Sequence, residues 1–190
     1  FFPALQEPIP AGLVCIAIVW IFTILNFMGG SFIGRMATIG LVAMLLPVAG
    51  TAIFGWFWFD PQTYTANWNT SGAADSEAVI RSVLLCLWAF IGIESASVST
   101  GLVKNPRKTV PLATLLGTGL AGIVYVLSFQ AIAGMFPADV IAKSGAPFAA
   151  SVALMVGDWA APVVAACTVI ACLTSLGSWM LLVTQAGARA

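Results

Sequence analysis

Residues 110–136 read VPLATLLGTGLAGIVYVLSFQAIAGMF, a run without one Asp, Glu, Lys or Arg. Its apolar residues follow one another rather than alternating, which excludes a half-buried strand and predicts a helix. A bilayer core about 30 Å thick needs roughly 20 such residues in a helix, so this run is long enough to span. Four further stretches have the same character, at 11–28, 36–59, 78–103 and 159–188. The expected fold class is therefore all-α integral membrane, with about five transmembrane helices in one membrane domain covering residues 1–190. Pro47 inside the second stretch predicts a kink.

Composition points the same way. The chain is 61% hydrophobic and 7% charged, against about 25% charged in an ordinary soluble domain. Too few polar side chains remain to coat a water-soluble globule. The net charge of zero gives no footing for nucleic acid. Histidine is absent, which removes the commonest metal ligand and general base. Cys15, Cys86, Cys167 and Cys172 lie within apolar runs without metal-site spacing, so they read as packing residues. Neither a metal nor a cofactor is expected, and no nucleophile stands beside a base to suggest an enzyme. The first residues carry no initiator Met and no basic signal region, and both ends read as cut from a longer chain.

The charges between the apolar runs alternate in kind. Arg35, the group Lys104, Arg107 and Lys108, and Arg189 mark one side. Glu7, then Asp60, Asp75 and Glu77, then Asp139, Lys143 and Asp158 mark the other. The positive-inside rule places the first set in the cytoplasm, and Trp56, Trp58 and Trp159 then fall at the outer boundary where aromatic belts sit. Residues 60–77 read as a solvated outer loop. Residues 137–158 are too interrupted to span and read as one or two short surface helices.

Glu94 is the exception at the middle of these runs, Arg81 standing near the start of the same one. A carboxylate at the middle of a membrane helix costs about 2.5–3.5 kcal/mol on insertion scales, which marks it as a functional candidate. Gly92 precedes it, and Ser95, Ser97, Ser99 and Thr100 follow. Weak helix formers and small hydroxyls suit a break in the helix near residues 90–93, and transporters bind substrates at such breaks. Trp88 lies six positions earlier, about 120° away on a straight helix, and a break at Ile91 and Gly92 brings both toward one cavity. An indole face and a carboxylate together describe a site for an amine. The structural alternatives are a protonated or serine-bonded Glu94 and a plainly packed Trp88.

Other candidates are less specific. Trp179, beside Ser178, lies well inside the fifth run and either packs or faces a cavity. Tyr125 sits mid-membrane, where its hydroxyl needs a partner, and Tyr64 lies in the outer loop at a possible cavity mouth. Gly30 and Gly34, and the trio Gly117, Gly119 and Gly122, are expected to mark close helix contacts.

The stretch WAFIGIESASVSTGLVKNPRKTVPLATLLGTGLAGIVY at 88–125, with PIPAG, IAIVWIFT, ANWNT, SGAPFA and CLTSLGSWMLLV elsewhere, resembles the basic amino acid/polyamine antiporters of the amino acid–polyamine–organocation superfamily. The similarity runs over nearly the whole chain. It implies a fold of about twelve helices with two inverted five-helix repeats, of which this chain supplies the fourth to eighth. By resemblance Glu94 is the acidic residue of a broken sixth helix, Trp88 its substrate-facing aromatic, and Trp179 an eighth-helix gate. Tyr125 matches a seventh-helix tyrosine of the transport path, and Tyr64 an outer-loop tyrosine.

The implied activity is exchange of a basic amino acid such as lysine for its decarboxylated diamine, cadaverine, contributing to acid resistance in the bacterial inner membrane. Arginine/agmatine or ornithine/putrescine exchange, and cation-coupled amino acid symport, share the same framework. An assembly or sensor module without transport is the reading from another class. The expected partners are small cationic substrates, the lipid bilayer, the remaining helices of the full-length transporter and a second copy in a homodimer.

Overall fold

Apolar residues all around a helix leave it without a polar face, and such a helix is stable only in lipid or a large core. Among the described residues, four helices are of this kind, each long and apolar enough to cross a membrane: Pro8–Asn26, Gly30–Trp58, Pro106–Met135 and Ala160–Gly187. The computed structural model describes residues 7–89, 91–93 and 103–187; the side chains of Trp88 and Ala89 lie outside that description. Within those residues the chain is helical and holds no strand.

The helices are α1 (Pro8–Asn26), α2 (Gly30–Phe54), which runs on into a 3-10 turn at Gly55–Trp58, α3 (Pro61–Ala66) and α4 (Asp75–Ala89). They continue with α5 (Pro106–Met135), the short α6 (Ala138–Lys143) and α7 (Pro147–Val156), and α8 (Ala160–Gly187). Proline opens α1, α3, α5 and α7, where its missing N–H is no loss. Inside α2, Pro47 is carried within one continuous helix. Large apolar side chains stay on the surface: Phe57 is 82% exposed and Leu115 73%, as lipid-facing residues would be in a chain without a soluble coat.

Two compact units divide these elements, residues 1–43 with 169–190, and residues 44–168. In the first, α1, the start of α2 and the end of α8 pack through small residues. A Cβ on Gly177 would stand 2.9 Å from the Phe22 ring, and one on Gly40 would overlap the Thr174 hydroxyl. Phe22, Ile33 and Thr174 are buried there. In the second unit, Gly55 lets the 3-10 turn approach Ala131 of α5, and Gly134 gives room to the Phe59 ring. Close approach without side chains in the way is how membrane helices gain packing contact. The glycines expected to do this are others: at Gly34, Gly117, Gly119 and Gly122 an added Cβ would meet no described atom within 4 Å. Those faces meet no described neighbour.

Charged side chains pair only locally in the described residues. Arg81 donates to Glu77 at 2.5 Å and Lys143 lies 3.5 Å from Asp139, both one helical turn apart and exposed. Asp60 caps α3. Its Oδ1 accepts from the Gln62 amide at 3.1 Å, and its Oδ2 from the Thr63 amide at 3.0 Å and the Thr63 hydroxyl at 2.6 Å. The Thr63 hydroxyl, then the two amides, hold this carboxyl below the ordinary carboxylate range.

Candidate functional site

The break expected around residues 90–93 has a backbone counterpart. Helix α4 is described to Ala89, and Ile91, Gly92 and Ile93 form a turn rather than a further helical turn. Gly92 sits at φ 105°, in the left-handed half of the backbone map that side chains with a Cβ rarely enter. Ile91 is 61% exposed. Glu94 and Ser95 lie outside the described residues, as does the side chain of Trp88, so the geometry reaches the edge of the expected amine site and stops there.

Tyr125 lies in the middle of α5. Its ring meets Phe129 edge-on at 6.4 Å, and Phe129 meets Phe148 of α7 in the same manner at 6.1 Å. The Ser128 hydroxyl, fully buried, donates to the Tyr125 carbonyl at 3.2 Å. This aromatic row joins α5 to the short helix α7. Tyr64 sits on α3, its ring 5.3 Å from that of Phe59. Trp88, Ile91, Gly92, Tyr64 and Tyr125 belong to the second unit by position, and Trp179 and Ser178 to the first.

Trp179 is 46% exposed on α8. It helps line a cavity of about 520 Å³ together with Thr23, Asn26, Phe27, Met180 and Thr184. The Ser178 hydroxyl is turned back on its own helix, donating to the Thr174 carbonyl at 3.0 Å. Such back-bonding satisfies the hydroxyl inside an apolar environment and leaves the indole as the larger group facing the cavity. Asn26, not singled out by the sequence, bridges two helices there: its amide donates to Phe22 O at 2.9 Å and to Gly177 O at 3.4 Å.

Asn67 was also not legible as a special residue. Its side-chain amide donates to the carbonyls of Ala133 at 2.6 Å and Phe136 at 2.8 Å, and its Oδ1 accepts from the Ala138 amide at 2.8 Å. The only sequence signal is a short polar residue in an outer loop, which says nothing about partners far away in the chain. Among the described residues no group of His, Cys, Asp and Glu is arranged to hold a metal ion.

A family model described as amino acid permease matches residues 1–186. The chain is 63% identical over 190 residues to the cadaverine/lysine antiporter of Escherichia coli strain K12, an alignment covering 100% of this chain and 43% of that protein. It is 39% identical over 179 residues to the putrescine transporter PotE of the same strain, covering 94% of this chain and 41% of that protein. The putrescine transporter PotE of Haemophilus influenzae is 35% identical over 184 residues, covering 97% and 42%. The chain thus spans less than half the length of the curated relatives it matches.

Proposed function

We propose, on the premise that the chain belongs to the amino acid permease family, that it is part of an antiporter exchanging lysine for cadaverine. Four membrane-crossing helices in a member of this family make it a segment of a multi-pass protein of the bacterial inner membrane. The observation that carries the exchange reading is the 63% identity to a cadaverine/lysine antiporter along all of this chain. The relatives named for putrescine are at 39% and 35%, which favours the longer diamine. All these relatives are named as transporters, and the role assigned here is carriage, without catalysis.

In this reading the chain forms one membrane domain of five crossings, the third made by α4 and the residues that follow it. Glu94 holds an ammonium group of the substrate, and Trp88 offers the cation an indole face. The turn at Ile91 and Gly92 interrupts the helix beside Glu94, as broken helices do at transporter sites. Trp179 gates the path; Tyr125, Tyr64, Ser95 and Ser178 line it. The left-handed backbone at Gly92 and the cavity beside Trp179 support these roles. The remaining helices of the full-length transporter complete the site, and the working assembly is a homodimer.

The charge arithmetic then gives the cycle a direction. Lysine enters with one net positive charge and cadaverine leaves with two, so each turn moves positive charge outward. Decarboxylation of lysine consumes a proton inside, and the pair of reactions exports acid, contributing to acid resistance. Glu94→Gln keeps the shape and removes the charge. In proteoliposomes of the full-length protein it should abolish cadaverine binding or its pH dependence. Full-strength exchange, independent of pH, in that variant would sink the assignment, and sodium-dependent lysine uptake would favour a symporter instead.

A further inference from the structure

Helix α5 ends where proline interrupts its bonding. The carbonyl of Ala133 would ordinarily accept from the residue four positions on, but that residue is Pro137, which has no N–H. The carbonyls of Gly134 and Phe136 belong to the same unpaired last turn. All three are taken by one segment of the outer loop. Asp60 N donates to Gly134 O at 2.9 Å, and the Asn67 amide donates to Ala133 O and Phe136 O. The same Asn67 accepts from Ala138, the first amide of α6, while its own backbone amide closes α3 on Thr63 O at 3.0 Å. One side chain therefore caps the end of α5 and the start of α6 while its main chain ends α3. Phe59 adds an apolar key, its ring lying in the space that Gly134 leaves open and 5.3 Å from the Tyr64 ring.

We propose that Asn67 is a positioning residue that fastens the loop carrying Tyr64 to the corner between α5 and α6, so that both move as one piece at the outer mouth. The link to transport rests on the exchange reading above; the coupling itself does not. One side-chain amide makes all three bonds, so turning Asn67 away breaks them together. Tyr64 then cannot change its place at the mouth without carrying the end of α5 with it.

The test uses the full-length protein with Asn67→Ala, and Asn67→Asp as a variant that keeps the shape and the acceptor for Ala138 but loses both donors. Amide hydrogen exchange, which needs no substrate, should quicken together in residues 61–69 and 136–143. Lysine KM measured from the outer face should rise about five- to tenfold, a fraction of what the lost part-buried hydrogen bonds contribute together, while KM from the inner face stays within about twofold. Faster exchange confined to 136–143 overturns the coupling. Equal changes of KM on both faces, or none on the outer face, overturn the positioning role. If the unmodified protein fails to exchange lysine for cadaverine, the function reading falls, and the amide exchange alone still decides the clasp.

Discussion

The hydroxyls of Thr51 on α2 and Ser151 on α7 lie 3.1 Å apart, and both residues are fully buried. Each also reaches a carbonyl of its own helix, Thr51 that of Pro47 at 2.9 Å and Ser151 that of Phe148 at 3.0 Å. Two hydroxyls have two protons for three contacts, so the proton between them is shared among alternatives and the pair acts as a unit. Hydrogen bonds between membrane-protein helices measure about 0.6 kcal/mol on average and at most about 1.7. A double-mutant cycle of Thr51→Val and Ser151→Ala, followed by unfolding of the full-length protein in detergent, should give a coupling of about 0.5–1.5 kcal/mol. Additive losses would mean that α7 is held to α2 by packing alone.

Asp60 makes a different prediction, about pH. Its carboxyl is held below the ordinary range by the Thr63 hydroxyl and by the Gln62 and Thr63 amides. A depressed folded-state value means that the cap contributes its full stability above the unfolded value, about pH 4, and loses it only as pH falls through the lower folded value. At the mildly acid pH of about 5, one unit above that unfolded value, α3 should stay capped. Amide protection of Gln62 and Thr63, corrected for intrinsic exchange, should therefore hold down to about pH 4 and fall only below it. Asp60→Asn, also a good cap, should show no such fall. Loosening of α3 already between pH 6 and pH 5, near one unit above the reference carboxylate range, would contradict the assignment.

The contrast between these contacts and the spanning helices shows what a sequence can say. Runs such as 110–136 declare themselves because the bilayer demands length and apolarity, both local properties. The partner of Thr51 is a hydroxyl 100 positions away, and those of Asn67 are two carbonyls and one amide left open at helix ends 66 to 71 positions away. No local pattern encodes that. Glycines show the same limit: residue type marks where helices can approach, but only the packing shows that Gly40, Gly134 and Gly177 meet a described neighbour and Gly117 meets none. Of the candidate site, the turn at Ile91–Ile93 was legible because Gly92 stands beside a costly carboxylate. Trp179 draws attention in the sequence as an indole away from any interface, whereas Asn26, which lines the same cavity, does not. Glu94 itself was marked by its desolvation cost and by the family resemblance, and it lies outside the described residues.

Gly92 gives the sharpest contrast for mutation. At φ 105° a Cβ is forced against the backbone, and residues held in such regions cost about 1–3 kcal/mol. Gly92→Ala should therefore either straighten the turn or strain it, and both displace Ile91 and Ile93 on either side and, through Ile93, the following Glu94. A tenfold loss of rate corresponds to about 1.4 kcal/mol, so kcat/KM for lysine exchange should fall by about tenfold or more. Gly117→Ala is the matched control: it lies within α5 with no described atom within 4 Å of the new methyl group, and alanine is the better helix former by about 1 kcal/mol. It should leave exchange unchanged and raise the melting temperature slightly. Rates measured in proteoliposomes at equal reconstituted amounts separate the two outcomes. Equal activity of Gly92→Ala and Gly117→Ala would show that the turn at Gly92 is dispensable for transport.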